Sequence, residues 1–187
     1  GFLSMNLKYG KEDAESLAMS TSEGAKLSLR SMGLGAYAGV DGVEPPRALP
    51  RKVFLSYYEK ETLAHTQELD LKVNNKDQLF ENIVIYNGKI LLFTATFDRK
   101  SDKYNLYLSE LDKSTFIRKG TPKKIVSVPV TSFGKRGNFL FEKSPNEKFL
   151  LVFHYRRSNG KSSKSLFRSF IFDQELNNIG RKTQLAV

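Results

Sequence analysis

The sequence predicts an all-β protein built from antiparallel four-stranded units, and three observations carry that reading. The aromatic residues are 14 Phe and 8 Tyr with no Trp, and Phe and Tyr suit a pleated, half-buried surface. Asn87-Gly88 stands between two apolar runs, the two-residue hairpin signal, because both positions tolerate positive φ. The layout of strands and turns also recurs. Ile90-Leu91-Leu92-Phe93 aligns with Phe149-Leu150-Leu151-Val152 at an offset of 59, and Asp112 aligns with Asp173 at 61.

Residues 1–50 read as an irregular N-terminal arm ahead of a β domain over 51–187. Residues 11–19 suit a short helix with acids early in it, although Ala14, Leu17 and Ala18 give only a thin apolar stripe. Residues 33–42 are glycine-rich and lead to Pro45-Pro46 and Pro50. Glycine opens backbone angles that other residues avoid, and proline blocks helix and inner-strand pairing. This stretch is therefore a loop or an arm laid across something else.

From Arg51 the pattern is strand, turn, strand. Residues 53–58 are β-prone, and a polar turn at 59–61 leads to residues 67–73. There Leu69, Leu71 and Val73 alternate with Glu68, Asp70 and Lys72, as on a sheet with one wet face. The hairpin at Asn87-Gly88 joins 83–86 to 89–97. A turn at 98–103 leads to a strand over 104–111, and 124–130 closes the unit, with Pro129 marking an edge or a strand end. A second unit repeats this: 138–141, a turn at 144–148, the apolar strand 149–155, a basic turn over 156–164, then 165–172, a turn at 173–178 and 179–187. Two four-strand units follow half a unit.

Four-stranded up-and-down units at a fixed period are the sequence form of β-propeller blades. One such sheet cannot cover both its faces, so neighbours must stack, and the inner strands should be the most apolar. Residues 89–97 and 149–155 meet that expectation. At Ser144-Pro145-Asn146-Glu147-Lys148, followed by an apolar strand, the chain resembles the WD40-like repeat of TolB-type propellers. That motif reads Ser-Pro-Asp-Gly-Lys, so Asn146 and Glu147 stand where it has Asp and Gly. Residues 51–187 are also similar to uncharacterised envelope propeller proteins of Bacteroidota, at Asn87-Gly88-Lys89, at Thr121-Pro122-Lys123-Lys124-Ile125 and from Phe172 to Asn177. The resemblance implies a periplasmic or extracellular scaffold in the cell envelope that binds protein partners within a larger complex, and it implies no chemistry. A closed propeller needs at least about four blades. Two and a half units therefore imply a fragment of a longer propeller, chains that complete each other, or a sandwich-like pair of sheets.

The net charge of +10 is unevenly distributed. Residues 1–50 carry 5 basic and 6 acidic side chains, residues 51–115 carry 10 of each, and residues 116–187 carry 15 basic against 4 acidic. The excess over the last stretch suits an anionic partner: nucleic acid, lipopolysaccharide, an acidic glycan or an acidic protein face. It equally suits a solvated Lys-rich surface. The absence of cysteine excludes a disulfide framework, a thiol nucleophile and the common structural zinc sites, and leaves the compartment open. No apolar run approaches the roughly 18 residues of a spanning helix. Residues 1–5 lack the basic region and apolar core of a signal peptide, and the missing initial Met leaves a trimmed N-terminus open.

Residue types with catalytic capacity are sparse. His65 falls between strands, and His154 lies within the apolar strand on the face of Leu150 and Val152, where a packed, hydrogen-bonded histidine is the ordinary outcome. Asp98 and Asp102 flank a turn that could offer oxygens to a cation, but the calcium-loop spacing is absent and a solvated turn fits as well. No nucleophile elbow or phosphate-cradling Gly-Lys-Ser/Thr occurs. The expectation is a non-enzyme without cofactor or metal. One constellation suggests binding: Arg156, Arg157, Lys161, Lys164 and Arg168, near Tyr155 and Phe167, with Lys123-Lys124 and Lys135-Arg136 as extensions. Cations beside aromatic rings hold phosphate backbones and stack on bases or sugars, so a basic nucleic-acid-binding β protein of a ribonucleoprotein is the alternative to the scaffold.

Overall fold

A computed structural model describes residues 2–9, 13–20, 26–33, 50–59, 62–156 and 165–186, with side chains over 53–57, 65–156 and 166–183. The strands are β1 (Phe2–Tyr9), β2 (Asp13–Ser20), β3 (Lys26–Gly33), β4 (Pro50–Glu59), β5 (Thr62–Glu68), β6 (Lys72–Val73), β7 (Lys76–Asp77), β8 (Leu79–Tyr86), β9 (Lys89–Asp98), β10 (Lys103–Leu111), β11 (Arg118–Pro129), β12 (Asn138–Lys143), β13 (Leu150–Arg156), β14 (Ser165–Phe172) and β15 (Asn178–Ala186). A single 3-10 turn at Phe133–Lys135 is the one helical element among the described residues, so the protein is all-β as expected. The chain divides into two compact units, residues 1–80 with 111–119, and residues 81–110 with 120–187.

In the first unit, β1 to β5 lie side by side in chain order, and β1 also pairs with β3 and β4. This corrects the expectation of an irregular arm with a short helix. Residues 13–20 are strand β2, antiparallel to β1 with Leu3 opposite Met19 and Met5 opposite Leu17. The reason is a competing periodicity: Leu3, Met5 and Leu7 alternate with Ser4, Asn6 and Lys8, and Leu27 and Leu29 alternate with Lys26, Ser28 and Arg30. Period two repeated over neighbouring segments outweighs a thin helical stripe. Because β3 pairs with β4 from Lys26 opposite Tyr58 to Gly33 opposite Pro50, the boundary expected at residue 50 falls inside a sheet. Of the Gly/Pro loop expected from Gly33 to Pro50, the two end residues belong to β3 and β4, and residues 34–49 lie outside the described residues.

The strand expected over 67–73 is broken. β5 ends at Glu68, and the chain then turns into the short hairpin β6–β7, whose Asn74 and Asn75 take positive φ of 51° and 60°, as a tight two-residue turn demands. Arg118 clamps this hairpin, donating to the carbonyls of Lys72 at 2.5 Å and Asp70 at 2.6 Å. Val53, Leu55, Leu69, Val73, Leu111 and Phe116 are buried here.

The second unit holds two four-stranded sheets, β11-β10-β9-β8 and β12-β13-β14-β15, apart from the residues at 79–80, 111 and 118–119 that group with the first unit. These are the eight strands expected from the repeat. Asn87-Gly88 forms the hairpin with φ of 48° and 66°. The first and the third turns of the two sheets also correspond. Asn87 and Glu147, 60 residues apart, both sit at positive φ and are joined by a hydrogen bond from the Asn87 N–H to Glu147 Oε2 at 3.1 Å. Asp112 and Asp173 each cap the turn between the third and fourth strands: Asp112 Oδ1 accepts the N–H of Ser114 and of Thr115, and Asp173 Oδ1 accepts that of Asn177. The apolar residues Phe116 and Leu176 occupy positive φ in those two turns.

The sheets meet through aromatic side chains, with Phe93 and Phe141 centroids 4.3 Å apart and Tyr104 stacked on Phe139 at 5.5 Å. In β9 every residue from Ile90 to Ala95 is buried, on both faces. In β13 the pattern alternates: Leu150, Val152 and His154 are buried, and Leu151, Phe153 and Tyr155 are half-buried.

Candidate functional site

The turn resembling the propeller motif forms with its substitutions in place. Asn146 Oδ1 accepts the Lys148 N–H at 3.2 Å and the Ser144 hydroxyl at 2.8 Å, the two acceptor tasks that an Asp would perform there. Ser144 Oγ in turn accepts the Phe149 N–H at 3.0 Å. Glu147 takes φ of 50°, a conformation that glycine adopts freely and other residues adopt at a cost. Its carboxylate ties that turn to the first sheet, receiving the Asn87 N–H and Lys143 Nζ, while Lys143 also donates to the Ile85 carbonyl at 3.3 Å. The Lys143 hydrogen bond holds the Glu147 carboxyl below the usual range, and the Asn87 N–H adds to it.

Of the five expected anion-binding residues, Arg156 and Arg168 are placed; Arg157, Lys161 and Lys164 lie outside the described residues. Directly opposed residues of neighbouring strands share a face, so the register assigns sides. His154 stands opposite Arg168, Arg156 opposite Leu166, and Val152 opposite Phe170. On β15, Thr183 faces Arg168 and Arg181 faces Phe170. Arg156, Arg168 and Arg181 therefore lie on one face, diagonally placed across three strands, together with buried Phe139, Leu150, Val152, His154, Leu166 and Phe170. Nothing in the sequence singles out Arg181, because only the pairing of β14 with β15 brings it beside Arg168.

The aromatic half of the constellation is on the other side. Tyr155 and Phe167 oppose each other with ring centroids 4.7 Å apart, on the face that also carries Leu140, Leu151, Phe153 and Ile171. Strand alternation has separated the cations from the rings. The expected extensions differ too. Lys123, Lys124 and Lys135 are exposed, whereas Arg136 is buried with its guanidinium 4.3 Å from the Phe133 ring centroid and its Nη1 donating to the Phe133 carbonyl.

His154 is the packed, hydrogen-bonded histidine expected. It is fully buried, 5.0 Å from the Phe139 ring, with Nε2 2.6 Å from the Arg136 carbonyl oxygen. Burial pushes its pKa down to about 4, and the Arg168 and Arg156 charges act in the same direction. The imidazole is thus neutral, and because a carbonyl only accepts, Nε2 carries the proton. That leaves Nδ1 with a bare lone pair, buried and without a partner among the described residues, as is Nη1 of Arg168. Gly137 makes this approach feasible: at φ of 75°, a Cβ there would lie 2.3 Å from the Tyr155 carbonyl oxygen and 3.0 Å from His154 Nε2.

His65 belongs to β5 rather than to a connection, and its ring lies 5.6 Å from that of Phe116. Asp98 caps its own turn, accepting the Lys100 N–H at 3.0 Å and the Ser101 hydroxyl at 2.7 Å; the Ser101 bond, then the Lys100 bond, hold its carboxyl below the ordinary value. The Tyr104 hydroxyl donates to Glu81, and burial followed by the Glu81 charge pushes the phenol up. Among the described residues no group of three or more His, Asp or Glu side chains could hold a metal, and no helix is long and apolar enough to cross a membrane. Compared with known protein families, with curated proteins and with solved structures, the chain matches none.

Proposed function

We propose that the chain is a non-catalytic interaction scaffold in which the two sheets of the second unit act as successive propeller-type blades. The observation that carries the reading is the outer face of β12–β15. Its centre is apolar, formed by Leu151, Phe153, Tyr155, Phe167 and Ile171, and Leu140 and Phe167 are 49% and 38% exposed. On the equivalent side of the first sheet, Leu91 and Phe93, at the 60-residue offset from Leu151 and Phe153, are fully buried, Phe93 against Phe141 of the next sheet. A face that the first sheet fills with a neighbour is left open on the second. The occupant that fits is a further four-stranded sheet on a partner protein, presenting two aromatic side chains at alternate positions of one strand as Phe139 and Phe141 do. On sequence resemblance alone, the reading extends to an assembly at a bacterial envelope or surface, in the periplasm or outside the cell.

The test is site-specific photocrosslinking in native cells. A crosslinker at Phe167 is expected to trap one protein at a strand with alternating apolar residues, and Phe153→Glu is expected to abolish the product. A crosslinker at exposed Lys123 should trap nothing equivalent. Recovery as an uncrosslinked monomer from both positions would sink the reading. The alternative, nucleic-acid binding with stacked bases, needs rings and cations on one side, and β13 and β14 put them on opposite sides. Steeply salt-dependent retention on RNA would restore it.

A further inference from the structure

The diagonal of Arg156, Arg168 and Arg181 has a charge problem that the described residues do not solve. Diagonal neighbours on a sheet face have Cβ atoms roughly 7–8 Å apart or somewhat less, close enough for guanidinium groups to converge. No carboxylate among the described residues forms an ion pair with any of the three. The four acids after residue 115 are placed elsewhere or occupied: Glu142 opposes Leu151 on the outer face, Glu147 is tied to Lys143 and Asn87, and Asp173 and Glu175 belong to the turn beyond Phe172. The connection over 157–164 contains no acidic residue in its sequence. Guanidinium groups do not lose their protons in proteins, so half-buried Arg168 keeps an uncompensated charge beside Arg156. Both burial and the Arg156 charge weaken its protonated form. Solvent screens such a half-buried charge only in part, so leaving it unpaired beside a like charge carries a cost.

The second observation is the pair of orphaned atoms. Arg168 Nη1 is a donor and His154 Nδ1 an acceptor, both buried, on residues directly opposite each other. A water molecule would satisfy both and leave the charges standing. A sulfate would answer the charges but has no proton to give Nδ1. We propose that Arg156, Arg168 and His154 form a binding site for inorganic phosphate, with Arg181 drawing the anion in from the exposed edge of β15. Hydrogenphosphate keeps at least one hydroxyl at neutral pH, so its oxygens accept from the two arginines while its P–OH donates to Nδ1. Planar guanidinium forks suit this tetrahedral oxyanion. The same logic disfavours phosphodiesters, which carry no such hydroxyl. The inference is independent of the apolar face and of any partner that covers it.

The experiment is a phosphorus NMR titration of the full chain with inorganic phosphate at fixed ionic strength. Saturable binding is expected, with sulfate or a phosphodiester at equal concentration competing at least tenfold more weakly. Arg168→Met and Arg156→Met are each expected to weaken binding at least tenfold. In phosphate-free buffer Arg168→Met should keep or raise the melting temperature, because it removes an unpaired charge. Absent saturation, equal competition by sulfate, or unchanged affinity in Arg168→Met would overturn the site. A fall in melting temperature of Arg168→Met without phosphate would make the arginine structural and overturn it as well. If that variant fails to fold, Arg156→Met at the strand end decides the affinity arm alone.

Discussion

His154 and Gly137 are bound by one geometric requirement. The imidazole reaches the Arg136 carbonyl only because residue 137 has no side chain where the β13 backbone passes. Gly137→Ala combines positive φ with a clash against a backbone oxygen, which cannot swing away as a side-chain tip would. It should cost at least about 1 kcal/mol in denaturant unfolding, and a neutral result would mean that the backbone moves freely there. His154 also sets a pH dependence. Its pKa falls from about 6.5 unfolded to about 4 folded, so the unfolded chain binds more protons between those values. Stability is then fully present above the unfolded pKa and is lost as pH falls toward 4, by up to about 3 kcal/mol. Unfolding curves at pH 7 and 4.5 should show the loss, and His154→Gln, which keeps a donor for Arg136, should flatten it. The sequence made the buried, neutral histidine readable, since it stood in an apolar strand at the position of Leu150 and Val152. It did not reveal the role of Gly137, because close approach between segments 17 residues apart leaves no mark in composition.

Among the elements, turn chemistry accounts for what was legible. Asn87-Gly88, the two Asp-capped turns and the Ser144 turn are short-range devices, and short-range devices appear in sequence. Asp112 and Asp173 occupy equivalent corners of the two sheets, so Asp112→Ala and Asp173→Ala should each lower the melting temperature. The double variant should fall by the sum, because the corners share no partner. The Asp112 carboxyl is held well below its ordinary range, first by the Ser114 hydroxyl and then by backbone N–H groups. Its contribution is therefore present above the unfolded pKa and lost as pH falls through the folded one; if melting of Asp112→Ala and the parent converge only at neutral pH, this account fails. The N-terminal strands are hard to read in sequence because the early acids of residues 11–19 imitate a helix start, while the alternation in β1 and β3 acquires meaning only across strands. Side-chain direction was the other casualty. Arg156 beside Tyr155 looked like one patch, although a strand turns consecutive residues to opposite sides.

For the molecule as a whole, all-β architecture with two consecutive four-stranded sheets followed from repetition, which is a property of the entire chain. The open apolar face followed only from coordinates, since Leu151 and Leu91 look alike in sequence and differ in what covers them. Phe153→Ser with Phe167→Ser should leave unfolding free energy within about 1 kcal/mol, as surface substitutions do, while reducing recovery of the partner protein with the chain in pull-downs from native cells. A large loss of stability would mean that the face is already filled.

Asn87 and Glu147 share a backbone conformation, a role and a spacing of 60 residues. They are natural crossover points for recombination. A gene that joined one turn to the other would remove or duplicate β9 to β12, the equivalent of one four-stranded sheet, and leave β8 to take the place of β12 beside β13. The chain can thus lengthen or shorten in complete modules, and the bond between the two turns marks the seam.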